Sequence, residues 1–197
     1  MKKMILLGVL VFSAAAAYAQ ESRQDVSISG LALLPPTVDA SGIQLRPSYT
    51  GGVLVSYRYL LTPRSALEGN YSWAQNTNYF KCCGETYFNP IKTRQQEGTV
   101  GYVYGLSFKN FNPFVEGGVG GVFYTPIQEG TFTLNATSNT RIAAMFGGGV
   151  AYEISPSFDI RVQYHGLIDK APQFQTSFAT DRYQLISMPA VGLAYHF

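Results

Sequence analysis

Residues 185–197 read LISMPAVGLAYHF. From Val191 onward the odd positions, Val191, Leu193, Tyr195 and Phe197, are apolar, and the even positions between them are Gly192, Ala194 and His196. Side chains of a strand point alternately to its two faces, so a period of two marks a strand with a different environment on each side. A strand in water gains nothing by finishing on an exposed phenylalanine. The larger, apolar face needs an apolar surrounding, and the rest of the chain has to supply the reason.

The opposite end supplies part of it. Lys2 and Lys3 are followed by an apolar run over 4–12 and by Ala17-Tyr18-Ala19, the small-residue pattern of a cleavage site. This is the plan of a secretory signal peptide, with a cut before Gln20 that leaves 20–197 as one mature domain. The run is too short to span a bilayer as a helix, and the residue after the cut is not the cysteine of a lipid-anchored protein. Lys2 and Lys3 also account for the whole excess of 14 basic over 12 acidic residues. The mature chain is formally neutral, which removes the electrostatic case for a nucleic-acid partner.

Charged residues make up 13% of the chain, about half of what soluble domains carry. Aromatics reach 14%, with 14 Tyr and 20 Gly, yet no second long apolar run is present. Only helices and closed barrels satisfy every backbone group in lipid. A chain too apolar for water and too interrupted for membrane helices therefore points to the barrel.

Alternation recurs along the chain. Strands are predicted over 25–33, 49–61, 66–73, 93–108, 111–124, 141–154 and 159–165, with 185–197 as the eighth. The outward sets are apolar, as in Val53, Val55, Tyr57 and Tyr59 of the second, and the inward sets are small or polar, as in Ser56 and Arg58. Leu54 interrupts the inner pattern of that strand. Thr62-Pro63-Arg64, Lys109-Asn110 and Ser155-Pro156-Ser157 make tight turns, whereas 34–48, 74–92, 125–140 and 167–180 read as long loops. Long and short connections alternate strictly, as they do between the outer and periplasmic sides of a transmembrane barrel with both termini in the periplasm. Tyr57, Tyr59, Tyr104, Tyr152 and Tyr195 fall near the periplasmic ends, where an interfacial aromatic girdle belongs. The expected fold is all-β: an eight-stranded antiparallel transmembrane up-and-down β-barrel.

Signal peptide, alternation, loop rhythm and terminal aromatic together make the chain resemble the eight-stranded OmpA/OmpX-type outer-membrane barrels, over essentially the whole mature sequence. The resemblance implies the cell outer membrane as location, contact with its lipids and lipopolysaccharide, and delivery by the barrel-assembly machinery. It makes Leu193, Tyr195 and Phe197 part of the C-terminal assembly signal. It covers the barrel alone, with no peptidoglycan-binding domain, and it implies no cofactor and no metal.

Inward parity and distance from the tight turns bring five charged residues to similar depth: Arg58, Glu68, Glu116, Glu153 and Arg161. Eight strands enclose only enough room for side chains, so these are expected to pack as a polar cluster in the periplasmic half of a plugged lumen. Buried charges have to be paired. Three glutamates against two arginines leave one carboxylate, expected to be protonated or hydrogen-bonded. Glu97 and Arg141 form a second inward pair near the outer rim, and His165 faces inward near the outer end of its strand.

Cys82 and Cys83 are adjacent in the longest outer loop. In an oxidising compartment free thiols do not persist, which leaves a vicinal disulfide, a bond between chains or a minor reduced form. Some eight-stranded outer-membrane barrels modify lipid A, so a deacylase-like enzyme is the sharp alternative. Such chemistry needs a nucleophile and a base within hydrogen-bond reach. Ser187 faces outward, away from His165, unless Pro189 marks a bulge that resets the register. A small-solute pore is the other alternative. The leading expectation is a monomeric, non-catalytic barrel with a structural or adhesin-like surface role carried by its four outer loops, whose ligand the sequence does not name.

Overall fold

A computed structural model describes residues 23–40, 43–82, 88–128, 138–172 and 182–197. The signal segment 1–19, Cys83 and the side chain of Cys82, on which the disulfide expectation rests, lie outside what it describes. The described residues form ten strands: β1 Gln24–Leu33, β2 Val38–Ala40, β3 Ile43–Pro47, β4 Thr50–Thr62, β5 Ser65–Cys82, β6 Phe88–Gly105, β7 Phe111–Gln128, β8 Asn139–Ser155, β9 Phe158–Lys170 and β10 Tyr183–His196. Eight of them, β1 and β4 through β10, pair antiparallel with both neighbours, and the pairing of β5 with β6 closes the sheet. The expected eight-stranded antiparallel barrel is the fold.

The C-terminal strand closes it as its alternation requires. Asp25 faces His196 and Leu31 faces Ala190 across β1 and β10, so neither terminal strand is left as an open edge. Leu193 and Tyr195 are exposed on the outer surface. Tyr195 packs between Phe158, at 5.1 Å, and Phe197, at 6.0 Å. All five girdle tyrosines are exposed as well. The short turns carry their own chemistry. Thr62 Oγ1 accepts hydrogen bonds from the backbone N–H groups of Arg64 and Ser65, and Lys109 takes the left-handed conformation at φ 53° to reverse the chain before β7.

All four long connections contain more strand than expected. Residues 34–48 contain β2 and β3, whose register continues that of the barrel hairpin below: Leu33 faces Thr50 and Val38 faces Leu45. Pro35 and Pro36 lack N–H groups and interrupt the ladder without shifting it. Most of 74–92 is likewise strand, because β5 and β6 extend upward to 18 residues each. The polar composition that made this stretch look like a loop reflects two strands leaving the apolar layer. Residues Thr125 to Gln128 extend β7 and Leu167 to Lys170 extend β9 in the same way. Pro189 marks no bulge. Pairing of β10 with β9 runs unbroken from Tyr183 opposite Lys170 to Tyr195 opposite Phe158.

The interior is filled in two tiers. Toward the short turns it is ionic. Above, an apolar cluster includes Leu33, Leu45, Leu54, Leu167, Ile186 and Met188, each 1% exposed or less. Leu54, the apparent break in an inner face, belongs to this second tier.

Candidate functional site

The lower tier is built by register. Asp25, Arg58 and Glu68 face one another across β1, β4 and β5, and all three point inward. Arg58 donates from Nε to Glu68 Oε2 at 2.6 Å, with Nη2 at 2.5 Å. Arg161 on β9 reaches across from the other side of the closing strands. It donates from Nη2 to Asp25 Oδ1 at 3.1 Å and from Nη1 to Ser27 Oγ at 3.2 Å, with Glu68 Oε2 at 3.8 Å from Nη1. Both guanidinium groups lie over the Phe114 ring, at 4.7 and 5.7 Å from its centre. A delocalised, weakly hydrated cation suits that face.

A second group adjoins the first. His165 is fully buried, with Nε2 2.7 Å from Glu97 Oε1 and Nδ1 3.1 Å from Glu116 Oε1. Ser72 and Thr99 donate to Glu97 at 2.8 and 3.0 Å. Gly147 stands in register with Glu116 on one side and His165 on the other. A Cβ there would lie 2.5 Å from Glu116 Oε1, so the glycine provides the space in which those two side chains meet.

Four of the five expected cluster residues therefore come together: Arg58, Glu68, Glu116 and Arg161. Glu153 does not join them. It is half-buried at the rim, opposite Asp159, with its backbone N–H bonded to Asn110. Counting residues from each turn treats strands as upright, whereas the strands of a barrel are tilted and staggered, and so equal counts do not give equal depth. The same stagger corrects His165, which lies within the buried network and not near the outer end. Glu97 does not pair with Arg141. Glu97, Val122 and Arg141 occupy successive registers on β6, β7 and β8, which puts two strand spacings, about 10 Å, between the two charged residues. Glu97 turns to His165 instead. Of the three glutamates, Glu68 takes an arginine, Glu116 is bonded to the histidine and Glu153 stands outside the cluster.

Sequence reasoning missed Asp25 as the partner of Arg161. Its inward parity with Ser27 and Ser29 was visible, but as the first residue of the first strand it read as a boundary. His196, on the even-numbered face of β10, shares a hydrogen bond with Asp159 Oδ2 at 2.8 Å. Ser187 faces outward and its hydroxyl meets that of Tyr164 at 2.9 Å, on the opposite face of the sheet from His165. Polar groups return above the apolar tier: Tyr124 donates to Asp169 Oδ2 at 2.6 Å and accepts from Gln184 at 3.1 Å.

A closed eight-stranded sheet with apolar residues outward and ions inward has the design of a lipid-embedded barrel, and the family comparison agrees. Residues 4–197 match the family model described as the outer membrane protein beta-barrel domain. The chain belongs to that family. Its location is the outer membrane. Among solved structures, it is similar to OprG of Pseudomonas aeruginosa, with 11% identity, a TM-score of 0.61 and coverage of 89% of this chain and 96% of that one. Neisserial surface protein A gives 11% identity and a TM-score of 0.61 over 89% and 98% of the two chains. Ail, the attachment invasion locus protein of Yersinia pestis, gives 15% and 0.52 over 90% and 100%. Identities this low show a shared fold alone. None of the curated proteins compared with the chain matches it.

Proposed function

We propose that this family member is a plugged, non-catalytic barrel that serves as a platform for surface contact, inserted as a monomer among outer-membrane lipids and lipopolysaccharide. The observation that carries this reading is the change of chemistry up the outer wall. On β5 the outward residues Leu67, Tyr71 and Trp73 give way to Gln75, Thr77, Tyr79 and Lys81, and on β6 Tyr104, Tyr102 and Val100 give way to Gln96, Arg94 and Lys92. A spanning strand needs about 9–11 residues, so strands of 18 residues leave about seven beyond the bilayer on β5, β6 and β7. That raised, polar wall is built for contact in water. The buried ions and the apolar tier beneath it supply a rigid support and leave no wide solute path.

The test replaces 76–92 with a short turn that keeps the membrane segments of β5 and β6. Bacteria displaying the shortened barrel are expected to lose adhesion to host-cell matrix while the barrel still resists denaturation by detergent. Unchanged adhesion overturns the surface role. Two further measurements address the other classes: steady conductance in planar bilayers would favour a pore, and an altered acyl count of lipid A in expressing cells would favour an enzyme.

A further inference from the structure

Where the ionic tier meets the periplasmic end, the structure contains a cavity of about 200 Å³ that reaches the barrel's end beside Pro63, Arg64 and Ser107. Its walls have two characters. Arg58, Arg64 and Arg161 line it together with Asp25 and Asp159, and Glu68 lies against the first and last of these arginines. Arg161 is 1% exposed and its Nε bonds nothing, although its two Nη atoms are satisfied by Asp25 and Ser27. Facing these groups is a small apolar cluster of Ala66, Val103 and Phe114, with Leu60 packed against it. It is separate from the apolar tier above.

An unsatisfied buried guanidinium N–H is costly, and a guanidinium is the side chain best matched to a planar carboxylate. We propose that this cavity is a binding site for a short-chain monocarboxylate entering from the periplasm, with its carboxylate on Arg161 and its hydrocarbon tail against Ala66, Val103 and Phe114. One free N–H, at Nε of Arg161, beside the carboxylates of Asp25 and Glu68, suits a monoanion better than a dianion such as phosphate. The volume suits a short tail, since it equals the share of about seven waters in the liquid, room for a carboxylate and about four carbons. The site lies at the opposite end of the barrel from the raised wall and does not depend on the surface reading.

The experiment uses the refolded full barrel in lipid nanodiscs and follows the arginine Nε–H resonances by NMR as butanoate is added. A saturable shift of Arg161 is expected, with no saturable shift from butanol. Ala66→Leu retains every charged group and fills the tail position, and is expected to weaken butanoate binding by about tenfold or more. Val103→Leu serves the same purpose if the first variant fails to fold. The proposal is overturned by the absence of a saturable shift, by an equal response to butanol or chloride, by tighter binding of inorganic phosphate than of butanoate, or by full butanoate affinity in a folded, cavity-filled variant.

Discussion

The two tiers of the lumen are made by the same strands and the same inward parity, yet they are held together in different ways. In the lower tier, Asp25, Arg161, Glu68 and Arg58 form one continuous network, and each member is acceptable there only because another strand brings its partner. In the upper tier, Leu33, Leu45, Leu167, Ile186 and Met188 pack as the core of a soluble protein does, where volume matters and identity matters less. The ionic tier therefore specifies register: a slip of one residue would turn a charge into lipid. The apolar tier is tolerant of exchange and contributes burial. One barrel interior can use both.

The sharpest way to break the contrast is Arg161→Met. It leaves Asp25 buried without its cation and deprives Glu68 of one of two, and unfolding in urea from lipid vesicles is expected to show a loss of about 3–5 kcal/mol. Combining it with Asp25→Leu removes both charges of the pair, and most of the loss should return, because a buried pair replaced by apolar residues is often neutral. A double variant no more stable than the single one would mean that the tier is not organised by pairs. In the upper tier, Leu167→Ala is expected to cost about 2–5 kcal/mol through the cavity it leaves, whereas Leu167→Met should cost less than about 1.5 kcal/mol. No conservative exchange of that kind exists below, since lysine cannot reproduce the guanidinium fork.

The fold was legible in the sequence because alternation is a property of single strands. Each of Val53, Val55, Tyr57 and Tyr59 announces its face without reference to any other strand. The membership of the ionic tier was legible only in part, because it also depends on stagger between strands. Glu153 and His165 were both assigned the correct face and the wrong depth. The 74–92 stretch failed for another reason: above the membrane, both faces of a strand meet polar surroundings, so residues such as Gln75 and Asn76 lose the contrast that periodicity needs.

Gly147 joins the two readings, since its missing side chain makes room for the contact between Glu116 and His165. Gly147→Ala drives a methyl against the Tyr164 backbone oxygen and to 2.5 Å from Glu116 Oε1 and is expected to cost about 1–3 kcal/mol by overpacking, with loss of the hydrogen-bonded histidine proton signal in NMR. Retention of that signal would show that the carboxylate moves aside without giving up the histidine.

The smallest effect is expected on the lipid-facing wall. Gln96 donates from Nε2 to the Tyr71 hydroxyl at 2.5 Å, across the same two strands whose inward residues, Ser72 and Glu97, are bonded in the lumen. Tyr71 is 47% exposed and sits where apolar residues give way to polar ones, so after Tyr71→Phe the Gln96 amide can turn to headgroups or water. The loss should not exceed about 0.5–1.5 kcal/mol, the net worth of one such bond. Ser72→Ala, one residue away on the inner face, removes a donor from a buried carboxylate that no solvent can replace, and should cost about 1–3 kcal/mol. If the outward variant proves the more damaging of the two, the wall and not the lumen sets the stability of this part of the barrel, and the contrast between its two faces would have to be drawn the other way.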